Sequence, residues 1–135
     1  MNDILVFEQT LRNGVFAAVG DVDADGFADL VVGGGPGGGP RVMILSGKDL
    51  SGGGAVNPGV IANYFAGDLT NRGGVRVATK NLDGDGRADL VVGEGDGGGT
   101  RVSRYLGRDL ADGGNPVAAG AANAFPGFVG GVFVG

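Results

Sequence analysis

The chain of 135 residues contains no cysteine, no histidine and no tryptophan. Without cysteine there is no disulfide and no thiolate nucleophile. Without histidine the commonest general base is missing, and with it the commonest hydrolase triads. Long apolar runs are lacking too. Near the start, Ile4-Leu5-Val6-Phe7 is an apolar run of only four residues with no basic segment before it, so it reads as neither a signal peptide nor a membrane span. Aromatics are few and glycine is abundant, at 32 residues. That balance suits tight strand-turn-strand repeats better than helices, and the length suffices for one domain with a core.

The acidic residues are not spread evenly. Asp21, Asp23, Asp25 and Asp29 fall within nine residues, at alternate positions followed by Gly26. The pattern returns sixty residues later as Asn81, Asp83, Asp85 and Asp89 with Gly86. Calcium takes six to eight oxygen ligands at about 2.3–2.6 Å, so a short loop must bring several oxygens to one point. Side chains at loop positions 1, 3 and 5 can do this. Glycine at position 6 permits a sharp turn that lets the carbonyl of position 7, Phe27 or Arg87, face the ion. Asp29 and Asp89 would close each cage.

An EF-hand begins with the same pattern but needs a glutamate at position 12 between two helices. Position 12 here is Val32 or Val92, and both loops run into β-branched residues. Each loop is therefore expected between two strands. A solvated acidic turn is the plain alternative. Without a cation, however, neighbouring carboxylates repel by about 1 kcal/mol per pair at 4 Å even in water, and two copies in register argue for a metal. Of the fifteen acids, seven occupy these loop positions, so setting them aside moves the net charge from −5 to −5 + 7 = +2. The rest of the surface is near neutral, with neither a basic stripe for nucleic acid nor an acidic tail.

Residues 14–50 align without gaps on 74–110, with 21 of 37 positions identical, which defines a repeat of about sixty residues. Each unit reads as four short strands, at 15–19, 28–32, 41–45 and 60–65, then at 75–79, 88–92, 101–106 and about 121–125. The uniformly apolar Leu30-Val31-Val32 implies a strand buried on both faces. The expected fold is all-β: four-stranded antiparallel blades of a β-propeller, stacked radially. Residues 1–12 would form the end strand of a preceding blade, 13–72 the first full blade, 73–129 the second, and 130–135 the first strand of a following one. A ring typically needs about four to eight blades. The chain is thus expected either as a segment of a longer propeller or as a protomer of which several copies make one.

The glycine run at 33–40 lacks the Lys-Ser/Thr and the helix of a phosphate loop, so it reads as a turn. GEGDGGGT at 93–100 lacks the nine-residue period of calcium β-rolls and is also read as a turn. Arg41 and Arg101 recur after the glycines. They read either as partners of nearby carboxylates, as the lining of a ligand surface, or simply as exposed solubilising charges.

GDVDADGFADLVVGGGPGGGPRV and NLDGDGRADLVVGEGDGGGTRV resemble FG-GAP (VCBS-type) repeats, the blades of integrin-α-like propellers, over nearly the whole chain. The calcium loop carries the match, since the Phe-Gly and Gly-Ala-Pro signatures are poorly kept. The resemblance implies two structural calcium sites: Asp21, Asp23, Asp25, the Phe27 carbonyl and Asp29, and then Asn81, Asp83, Asp85, the Arg87 carbonyl and Asp89. Asn81 replaces a carboxylate by an amide, so the second site is expected to bind more weakly. It also implies extracellular or cell-surface placement and a non-enzymatic role in adhesion or in binding a protein or glycan. The alternatives are a purely architectural, self-assembling array and the non-catalytic part of a larger secreted enzyme. Nothing in the sequence nominates an acid, base or nucleophile beside an open metal position.

Overall fold

The computed structural model describes residues 3–53 and 57–135. It is all-β apart from two single-turn helices. Strands β1 (Val15–Gly20), β2 (Asp29–Gly34), β3 (Arg41–Leu45) and β4 (Val60–Phe65) form one antiparallel sheet in that order, with helix α1 (Gly47–Ser51) between β3 and β4. A second sheet repeats the plan with β5 (Val75–Lys80), β6 (Asp89–Glu94), β7 (Arg101–Tyr105), helix α2 (Gly107–Ala111) and β8 (Gly120–Asn123). The registers match across the repeat: Val15 faces Gly34 as Val75 faces Glu94, and Leu30 faces Leu45 as Leu90 faces Tyr105. Among the described residues the two sheets stand side by side and close no ring.

Strands β2 and β6 run two residues past the expected ends at 32 and 92, because Gly33-Gly34 and Gly93-Glu94 stay paired. The helices were not expected from so glycine-rich a chain. Each is a single turn opened by the glycine of a Gly-x-Asp-Leu motif, and the Ser46 hydroxyl accepts the Asp49 N–H at 3.4 Å at the start of α1.

One face of the first sheet packs on the second. Val31, Ile44 and Ala62 align across β2, β3 and β4 on that face. They join Val75, Val77, Leu90 and Val92 in one buried cluster. At its rim Tyr64 and Tyr105 meet edge to face, with ring centroids 5.1 Å apart. Burying such aliphatic side chains contributes about 1.5–3 kcal/mol each, which is what joins the two sheets. The junction also needs Gly33: a β-carbon there would collide with the carbonyl of Val75. Strands β1 and β5 are joined by the Thr79 hydroxyl, which donates to the Val19 carbonyl at 2.6 Å.

The two end segments, expected as strands of neighbouring blades, are not in strands among the described residues. Residues 1 and 2 of the first segment lie outside the described residues, as do 54–56 within the first unit. The last residues nonetheless repeat the placement of β5. Gly33 abuts Val75 and Val77, whereas Gly93 abuts Val132 and Val134, and the Val132 N–H donates to the Glu94 carbonyl at 2.9 Å. Three equivalent side chains consequently converge: the Arg76 guanidinium lies 5.6 Å from the Phe16 ring centroid and 4.1 Å from that of Phe133.

Candidate metal centres

The two acidic stretches form the loops from β1 to β2 and from β5 to β6. In the first, Asp21, Asp23 and Asp29 each bring a carboxylate oxygen to within 4.8 Å of the others; in the second, Asp83, Asp85 and Asp89 do the same. Two oxygens bound to one calcium at about 2.3–2.6 Å are at most about 5.2 Å apart, so both clusters have the right span. An all-oxygen donor set with no nitrogen or sulfur suits a hard divalent cation rather than zinc or copper.

The loops are held in this shape by their own amides. Asp21 accepts the N–H groups of Asp25 at 3.1 Å and Gly26 at 3.0 Å, and Asp23 also accepts that of Asp25 at 3.1 Å. Asp25 stands outside the first trio. Its Oδ1 accepts the Phe27 N–H at 2.9 Å, as Asp85 accepts that of Arg87 at 2.8 Å. Asn81 turns its Oδ1 to the Gly84 N–H at 2.7 Å. Phe27 and Arg87 thus sit at the same loop position with different side chains. Phe27 is exposed, while the Arg87 guanidinium reaches the Val22 carbonyl of the other loop at 3.4 Å.

Asp29 and Asp89 are buried, and they do more than face a cluster. Asp29 Oδ2 accepts the Val22 N–H at 2.8 Å and its Oδ1 accepts the Gly47 N–H at 2.9 Å. Asp89 repeats both bonds, to Leu82 and Gly107. Each therefore ties the loop to the first residue of the helix eighteen positions on. Burial pushes the Asp29 carboxyl above its ordinary range and the charges of Asp23 and Asp25 push the same way, against the two N–H donors. A cation at the trio would relieve both pressures. Gly47 and Gly107 were missed as part of this arrangement, although their recurrence beside the repeated aspartates was a usable signal. They must be glycine because a β-carbon at either would strike the backbone of Ala28 or Ala88.

The two loops also touch each other. The Ala88 N–H donates to the Asp21 carbonyl at 2.7 Å. Near the second loop, Arg108 pairs with Asp83 at 3.1 Å. Of the recurring arginines, Arg41 pairs with Glu8 at 2.7 Å, whereas Arg101 is exposed. Fold and loops together define an all-β protein of two repeated sheets, each with an oxygen-lined loop on a buried aspartate. Compared with family models, curated proteins and solved structures, the chain matches none.

Proposed function

We propose that the protein is a calcium-binding β-propeller repeat module of the FG-GAP type, with one structural calcium in each loop, serving extracellular adhesion or ligand binding without catalysis. The observation that carries this reading is that both loops gather three carboxylates on a buried aspartate, drawn from residues 21, 23 and 29 in the first copy and from 83, 85 and 89 in the second. The ligands are the side chains of residues 21, 23, 25 and 29 and of 81, 83, 85 and 89, with the carbonyls of Phe27 and Arg87. Calcium at these points stabilises the fold because the sites do not exist in the unfolded chain. The side-by-side packing of four-stranded sheets supports their reading as blades.

Calorimetric titration combined with thermal unfolding tests this. Two sites should be filled, and calcium at a hundredfold its dissociation constant should add about 2.7 kcal/mol per site. An unfolding curve that calcium leaves unmoved would sink the reading.

A second reading, a blade of a larger or self-assembled array, is favoured by the outward face of the first sheet. Val15 there is 46 % exposed, while its equivalent Val75, at the junction of the sheets, is 0 % exposed. Light scattering with calcium and with a chelator tests it: a discrete multiple of the chain mass supports assembly, and a monomer in both conditions refutes self-assembly.

A further inference from the structure

The two units depart from one another most tellingly at a cavity of about 360 Å³ lined by Gly67, Asp68, Glu94, Arg101, Ser103 and Tyr105. Their equivalents sixty residues earlier are Phe7, Glu8, Gly34, Arg41, Met43 and Leu45. In the first unit the charged groups satisfy each other. Arg41 pairs with Glu8 at 2.7 Å, donates from Nε to Asn63 at 2.9 Å, and its guanidinium lies 5.5 Å from the centroid of the buried Phe7 ring.

The second unit removes each of those satisfactions. Gly67 takes the place of the phenylalanine. Asp68, one methylene shorter than glutamate, turns to Thr70, accepting its N–H at 2.8 Å and its hydroxyl at 2.7 Å. Arg101 is left exposed and outside any ion pair among the described residues. Glu94 stands where the first unit has glycine. It is only 7 % exposed, and its carboxylate too has no ion-pair partner among the described residues. Its backbone is fixed by Arg76 Nη1 at 3.0 Å and the Val132 N–H at 2.9 Å, both donating to its carbonyl. Burial pushes its carboxyl above the ordinary range, and the Arg101 amide and guanidinium work against that. Ser103 and Tyr105 are buried hydroxyl residues where the first unit has methionine and leucine.

A buried carboxylate and a guanidinium that face one cavity, neither of them in an ion pair among the described residues, suit a ligand of both charges. Glu8 on Arg41 shows what the second arginine lacks, namely a carboxylate. We infer that this cavity, lined by β6, β7 and the segment after β4, binds a small zwitterion of the amino-acid type, its ammonium group on Glu94 and its carboxylate on Arg101. The hydroxyls of Ser103 and Tyr105 supply neutral hydrogen-bonding groups along its length. The site stands apart from the cation loops and does not depend on them.

The test titrates the calcium-saturated protein with glycine, γ-aminobutyrate and L-lysine, and in parallel with acetate, butylammonium and glucose, following amide shifts by NMR. At least one zwitterion should bind about tenfold or more tightly than either half-molecule. Glu94→Gln and Arg101→Gln should each abolish that advantage. Both variants are checked for an unchanged calcium-induced rise in melting temperature, which keeps this result separate from the cation reading. Equal binding of butylammonium or acetate alone, preferential binding of glucose, indifference to either substitution, or no zwitterion binding up to about 10 mM would each overturn the assignment.

Discussion

The first loop and the second share a sequence pattern but not a neighbourhood. Val22, the second residue of the first loop, is 0 % exposed because the following unit lies against it; Leu82, its counterpart, is 38 % exposed. The amide of Ala88 and the guanidinium of Arg87 both reach back to the first loop. The first loop also carries one more carboxylate, since Asn81 stands where it has Asp21. In one respect the order reverses. Ala24 holds the left-handed backbone region at φ 63°, the only non-glycine among the described residues to do so, whereas the second loop places Gly84 there at φ 82°. Repetition sets the carboxylates, and the neighbouring unit sets how well they are enclosed.

The strongest way to break this comparison is at the buried aspartates. Asp29→Ala strands two buried N–H groups, of Val22 and Gly47, and an unpaired buried donor costs about 1–3 kcal/mol. The expected loss is about 3–5 kcal/mol in urea unfolding without metal. Asp89→Ala should lose less, because the amide of Leu82 is only partly buried. Equal losses would mean that enclosure of the first loop is irrelevant.

Affinity gives a finer contrast. The first loop should bind calcium more tightly, and Asn81→Asp should tighten the second by about tenfold, or about 1.4 kcal/mol, by restoring a ligand charge. A two-site titration in which the second loop already binds as tightly as the first would remove charge from the explanation.

The smallest effect concerns the backbone. Ala24→Gly should stabilise the metal-free protein by up to about 1 kcal/mol, and Gly84→Ala should destabilise it by about 1–2 kcal/mol, because a β-carbon is strained in this region. Thermal melts of the two variants measure it, and opposite signs are the decisive feature.

Much of the fold was legible because short β-branched runs bounded by glycine turns are local signals and their return after sixty residues marks a second copy of the same unit. The strands at 41–45 and 60–65 were read with their observed limits. Gly33 and Gly34 were read as the start of a turn, yet they remain in β2. A glycine that can pair looks in sequence like one that cannot, and the difference lies in Phe16 and Val15 opposite. The one-turn helices escaped because they are too short for a 3.6-residue period to show. At the candidate site, loop spacing marked the acidic residues but not how Asp25 and Asn81 are used, which depends on the amides they accept. Nor could it show Asp29 reaching Gly47, a contact set by the packing of a helix on a strand.

The tyrosine pair at the junction has a practical consequence. The chain has no tryptophan and these are its only two tyrosines, so every near-ultraviolet signal above the phenylalanine bands arises where the two sheets meet. Set edge to face, the rings form a coupled chromophore, and the coupled part of their circular dichroism is lost once the sheets part, even if each stays intact. The protein carries its own optical gauge of unit-to-unit docking, readable without a label.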